Sequence, residues 1–96
     1  MEDEQLHGLA DDDRLTSAGL SKLRWRCRRG LLENDLFIER FFNHHADALT
    51  VGQARGMYSL MELADNDLLD VLLGRPHTQT VTKDPRVQSV LHLLKV

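Results

Sequence analysis

From residue 20 to the end of the chain, apolar side chains recur at spacings of three and four, and no segment alternates as a half-buried strand would. Leu20, Leu23 and Cys27 define the first stripe. They predict a helix over about residues 20–29, followed by Gly30, a residue type that commonly ends helices at positive φ. A second helix is predicted from Leu32 to about His45. It carries a broad apolar arc of Phe37, Ile38, Phe41 and Phe42, with Leu32 and Leu36 as a further stripe. A helix apolar over so much of its circumference is expected between neighbours, at the centre of the domain.

Thr50 and Gln53 read as a capping box opening a third helix, which Ala54, Met57, Tyr58 and Met61 continue at helical spacing. Asp65 or Asn66 is expected to cap a short fourth helix carrying Leu68, Leu69, Leu72 and Leu73, stopped by Gly74 and Pro76. Residues 75–83 read as a loop. Asp84-Pro85 then supplies an N-cap and a proline suited to the first helical position. Val87, Val90, Leu91 and Leu94 complete a fifth amphipathic helix. The predicted fold class is all-α, a small single-domain bundle of about five helices over residues 17–96. Residues 1–16 are acidic, broken by Gly8 and poor in periodic apolar positions, which predicts a disordered tail.

Composition narrows the setting. A chain of 96 residues with 42% apolar content suits one domain whose core is real but thin. There is little room for a deep catalytic cleft. No apolar run approaches a membrane span of about 20 residues. The first thirteen residues hold six acids and no Lys or Arg, the reverse of a mitochondrial transit peptide. Cys27 is the single cysteine, so no internal disulfide forms. A bacterial cytoplasmic protein is the expectation.

Against a net charge of −3, the group Lys22, Arg24, Arg26, Arg28 and Arg29 stands out. It could neutralise phosphates, with Trp25 stacking on a base. It could equally be a solvated helix end favoured by the dipole, or a surface for an anionic protein partner. His44-His45 is a weak metal signal, because adjacent residues on a helix point about 100° apart. Cys27 could be activated as a thiolate by nearby arginines, but it shares the stripe of Leu20 and Leu23 and no catalytic base accompanies it. No phosphate-cradling glycine loop occurs. The corner Arg29-Gly30-Leu31-Leu32-Glu33, with Asp35 beyond it, remains. Glycine there permits close backbone approach, and Arg29 offers a planar fork to carboxylates or carbonyls. The acids sit where a helix dipole favours them. An internally tied helix corner and a binding site explain it equally well.

The segment WRCRRGLLENDL resembles the W-x-C-R-R-G-x-x-E-x-D stretch of the succinate dehydrogenase flavinylation factors, the SdhE-like or assembly factor 2 family. The order of Phe41-Phe42 and then LMELADNDLLDVLLGR (residues 60–75) extends the resemblance over about residues 20–95. It implies a five-helix assembly factor, not an enzyme, that binds the flavoprotein subunit of succinate dehydrogenase, and in bacteria also that of fumarate reductase. Such a factor promotes covalent attachment of FAD to its partner and binds no cofactor itself. The implied partner-binding residues are Arg29, Gly30 and Glu33, joined by Asp35, Trp25 and Arg28. Asn34 departs from the family's usual leucine and Val71 from a frequent tryptophan. The expected protein is monomeric and engages neither nucleic acid nor membrane. The alternative reading is a small nucleic-acid-binding or regulatory domain that uses the basic first helix.

Overall fold

The computed structural model describes residues 6–28 and 30–95. Arg29 therefore lies outside the described residues. Five helices follow in order: α1 (Ser17–Arg26), α2 (Leu32–His45), α3 (Val51–Leu60), α4 (Asp65–Leu72) and α5 (Pro85–Lys95). Short 3-10 turns at Ala46–Ala48 and Thr80–Lys83 sit between them, the latter inside the segment expected to be a loop. No named strand occurs among the described residues, so the all-α expectation holds.

Local chemistry explains most boundaries. Thr50 and Gln53 form the reciprocal capping box, with Thr50 N–H donating to Gln53 Oε1 at 3.0 Å and Gln53 N–H to Thr50 Oγ1 at 3.3 Å. Asp84 Oδ1 accepts from Arg86 N–H at 2.9 Å, ahead of Pro85 in the first helical position. Helix α1 is shifted from its expected span. Thr16 caps it by accepting from Gly19 N–H at 3.0 Å, and it ends at Arg26 with Cys27 as C-cap, before Gly30 is reached. Helix α4 has Ala64 at its N-cap and no side-chain cap bond, so Asp65 is its first residue, and neither Asp65 nor Asn66 is its cap.

The centre of the domain is the α3–α5 pair, not α2 as the periodicity suggested. Gly56 is the reason: a Cβ there would overlap the Arg86 carbonyl, so the two helices cross backbone against backbone. Met57, Leu60, Val87, Val90 and Leu94 bury completely around this crossing. Helix α2 buries only Asn34, Ile38, Phe41 and Phe42 against α4, α5 and the underside of the bundle. Leu32 and Leu36 are instead 67% and 59% exposed. Val71 is buried in the core.

Residues 6–16 differ from the expected tail. Leu6 is buried, and Leu9 and Leu15 pack against the core. Val51 N–H donates to the Asp13 carbonyl at 2.9 Å, Gly52 N–H to the Asp11 carbonyl at 2.8 Å, and Leu15 N–H to the Leu49 carbonyl at 3.0 Å. The segment is ordered because it fills donors that α3 leaves open at its first turn. Residues 1–5, the remainder of the expected tail, lie outside the described residues.

Candidate functional site

Helix α1 brings its cations to one end. Arg24 and Arg26 occupy its last turn, where the dipole favours positive charge, and Arg28 follows. Trp25 is 70% exposed, an unusual cost for the chain's single tryptophan, and Arg28 and Gly30 are exposed beside it. Nothing lies within 4 Å of where a Gly30 side chain would begin. The fold's own packing thus leaves the space over Gly30 open.

Helix α2 begins at Leu32, and its first turn carries Glu33 and Asp35. A groove of about 540 Å³ opens between α1 and α2. Arg24 and Trp25 of α1 and Arg28 just beyond it line one wall, Asp35 and Glu39 of α2 the other, and Ile38 and Phe42 also line it. The walls carry opposite charges. Arg24 is held there with its guanidinium 5.3 Å from the centre of the Phe42 ring.

Three of the six site residues expected from sequence therefore share this groove: Trp25, Arg28 and Asp35. Gly30 lies at the turn beside it. Glu33 does not join them. Two residues apart on a helix are about 200° apart around its axis, so Glu33 faces the opposite flank of α2. It borders a second, apolar hollow of about 310 Å³ with Leu36, Phe37, Arg40, Leu69 and Leu73. Glu33 has no ion-pair partner among the described residues. The internally tied corner expected from sequence would pair Glu33 with Arg29, and so it lies outside the described residues. Arg40 is fixed by the Phe37 ring at 5.4 Å and by donating to the Leu94 carbonyl at 3.1 Å.

Sequence reasoning missed Glu39, Leu36 and Leu73. Glu39 was accessible in principle, four residues after Asp35 and hence on its face. The two leucines read as core because helical spacing does not say which apolar stripe finds a neighbour. Cys27 is fully buried, as its stripe predicted. His44 Nδ1 lies 2.9 Å from the Arg40 carbonyl oxygen one turn back. Among the described residues, no three His, Cys, Asp or Glu side chains converge on a point suited to a metal ion. No described helix is long and apolar enough to cross a membrane.

Known proteins resemble this arrangement in sequence. The family described as "flavinator of succinate dehydrogenase" matches residues 21–95. The FAD assembly factor SdhE of Ralstonia nicotianae is 47% identical over 75 residues, 78% of this chain and 79% of that protein. The protein of the same name from Vibrio parahaemolyticus is 32% identical over 71 residues, covering 74% and 83% of the two chains. The Coxiella burnetii counterpart is 42% identical over 53 residues, 55% of this chain and 65% of its own. No solved structure gives a significant match. The match spans every helix from within α1 to the end of α5, including the corner and both hollows, and the chain belongs to the succinate dehydrogenase flavinator family.

Proposed function

We propose that the α1–α2 corner is the surface by which this protein grips a flavoprotein client. As a member of its family the protein is an assembly factor for FAD attachment in succinate dehydrogenase, not an enzyme with a catalytic constellation of its own. The client is the flavoprotein subunit of succinate dehydrogenase and, in the wider form of the proposal, that of fumarate reductase. The factor works as a monomer in the bacterial cytoplasm. FAD is the cargo attached to the client, and this chain supplies no cradle for it.

The observation that carries the reading is the exposure of Trp25, Arg28 and Gly30 together, none of them used by the fold's own packing. Tryptophan and arginine dominate the residues that anchor protein interfaces. Trp25 is the apolar anchor. Arg28 and Arg29 present cations, Asp35 presents an anion, and Gly30 leaves room for a partner's backbone. Glu33 extends the contact across α2. Holding the client so that its FAD and acceptor histidine meet in a reactive pose lowers the barrier by positioning alone, an effect worth about 7 kcal/mol or more in favourable cases.

The test is co-expression with a succinate dehydrogenase flavoprotein subunit in cells lacking their own factor. Covalent flavin fluorescence of the denatured subunit is the readout. Wild type is expected to restore it, and folded Arg29→Ala and Glu33→Ala variants are expected not to. Absence of fluorescence with a competent client and folded factor overturns the proposal. The exposed cations of α1 favour one rival, a nucleic-acid-binding domain, whose affinity would collapse with salt as condensed counterions are released.

A further inference from the structure

Helix α1 carries Trp25, with Arg28 just beyond its end, yet it is the least supported helix of the bundle. The closest helix pairings are α3 with α5, and α2 with α4 and α5; none of the other helices packs along α1 to a comparable extent. Leu23 and the C-cap Cys27 are its fully buried side chains. Its last turn is tied to α2 by the short covalent connection between Arg26 and Leu32. Without a further tie, a helix anchored at one end and by one narrow stripe would be free to pivot about that end.

The other end is tied by residues 6–16. Leu15 N–H donates to the Leu49 carbonyl at 3.0 Å, and Arg14 pairs with Thr50 as an isolated antiparallel bridge. Residues 49 and 50 lie just beyond the far end of α2, so α1 runs antiparallel to α2 and is fastened to it at both ends. The fastening is clasped by Arg55 of α3. Its guanidinium donates to Asp11 Oδ1 at 2.6 Å, to the Leu6 carbonyl at 2.9 Å and to the Leu9 carbonyl at 2.8 Å. The Arg55 side chain is only 15% exposed, so its charge-assisted bonds to the two carbonyls are partly sheltered, while the Asp11 carboxylate, 53% exposed, meets it at the surface. Gly52 makes room for the strap: a Cβ there would come within 2.9 Å of Asp11 Cβ and 3.0 Å of its carbonyl oxygen. With the capping box, the strap satisfies the N–H groups of Thr50, Val51, Gly52 and Gln53.

We infer that residues 6–16, clasped by Arg55, are a positioning strap that holds α1 in register beside α2 and so pre-forms the client-docking groove. The strap lies outside residues 21–95 that match the family. Its effect on docking rests on the function proposed above; its effect on α1 does not. Arg55 is a positioning residue, since it lines neither hollow at α2.

The test uses the full chain. Arg55→Met keeps an apolar stem and removes the fork, and Gly52→Val pushes a side chain into Asp11. Amide hydrogen exchange in each variant is expected to rise at Leu15, Val51 and Gly52 and along residues 20–27, while Met57, Leu60, Val90 and Leu94 stay protected. Affinity for the flavoprotein subunit is expected to fall by about tenfold, because a docking-competent groove populated a tenth of the time binds a tenth as well. Faster exchange at the strap with α1 unchanged overturns the inference and leaves only a local cover. A loosened α1 with unchanged affinity overturns its link to docking. Should Arg55→Met unfold the domain, Asp11→Asn, which weakens one arm of the clasp, is judged by the same two readouts. Failure of the wild type to bind the flavoprotein would strike the function proposed above, leaving the exchange result to decide the strap.

Discussion

The side-chain amide of Asn34 on α2 donates to the carbonyl of Asp65, the first residue of α4, at 2.9 Å. Asn34 is fully buried, and its Oδ1 has no hydrogen-bond partner among the described residues. The side chain thus gains one bond and strands one acceptor. A neutral bond contributes about 0.5–1.5 kcal/mol, whereas a stranded buried polar atom costs about 1–3 kcal/mol. Asn34→Leu removes both and adds apolar burial between α2 and α4. It is expected to stabilise the domain by about 1 kcal/mol, raising Tm by roughly 4–8 °C for a chain of this size. A lower Tm would show that the bond to Asp65 outweighs the stranded oxygen.

Gly56 makes the opposite case. Alanine is the better helix former by about 1 kcal/mol. Its Cβ would overlap the Arg86 carbonyl, which is backbone and cannot rotate away. The helices must separate, opening the fully buried layer of Met57, Val87 and Val90. Gly56→Ala is therefore expected to destabilise by at least about 2 kcal/mol, read from urea midpoints at constant m-value. Neutral behaviour would mean that α3 and α5 slide apart freely.

Trp25 separates binding from stability. At 70% exposure it contributes little to folding, and Trp25→Ala is expected to shift unfolding free energy by no more than about 0.5 kcal/mol. As an interface anchor its truncation is expected to cost about 2 kcal/mol in affinity for the flavoprotein subunit, roughly thirtyfold in Kd by titration calorimetry. A large loss of Tm with unchanged Kd would turn the ring into a structural residue.

What could be read from the sequence was what neighbours in the chain decide. Helix α2 runs from Leu32 to His45 as its pattern implied, and Thr50 with Gln53 caps α3 through contacts three residues apart. The start of α1 was hidden because its apolar stripe begins only at Leu20, although Thr16 caps the helix by accepting from Gly19 N–H. The strap was illegible for a deeper reason. It is held by the carbonyls of Leu6, Leu9, Asp11 and Asp13, and a backbone acceptor leaves no mark on residue type. Of the expected site residues, Trp25, Arg28 and Asp35 share one groove, whereas Glu33, which the family resemblance brought in with Arg29 and Gly30, is turned by helical rotation to the other hollow.

That rotation yields the last prediction. Glu33 shares its hollow with Leu36 and Leu73, which are 59% and 46% exposed, so a client that reaches Glu33 also covers exposed leucine. Leu36→Lys should leave folding intact, since the side chain already faces water. If the client spans α2, Leu36→Lys and Glu33→Ala each slow flavinylation by about tenfold or more, and the double variant loses less than the product, because neighbouring contacts to one partner surface are not independent. Full activity of Leu36→Lys alongside an inactive Glu33→Ala would confine the client to the α1 side and the rim of α2. Rates of covalent flavin incorporation at fixed factor concentration make this comparison directly.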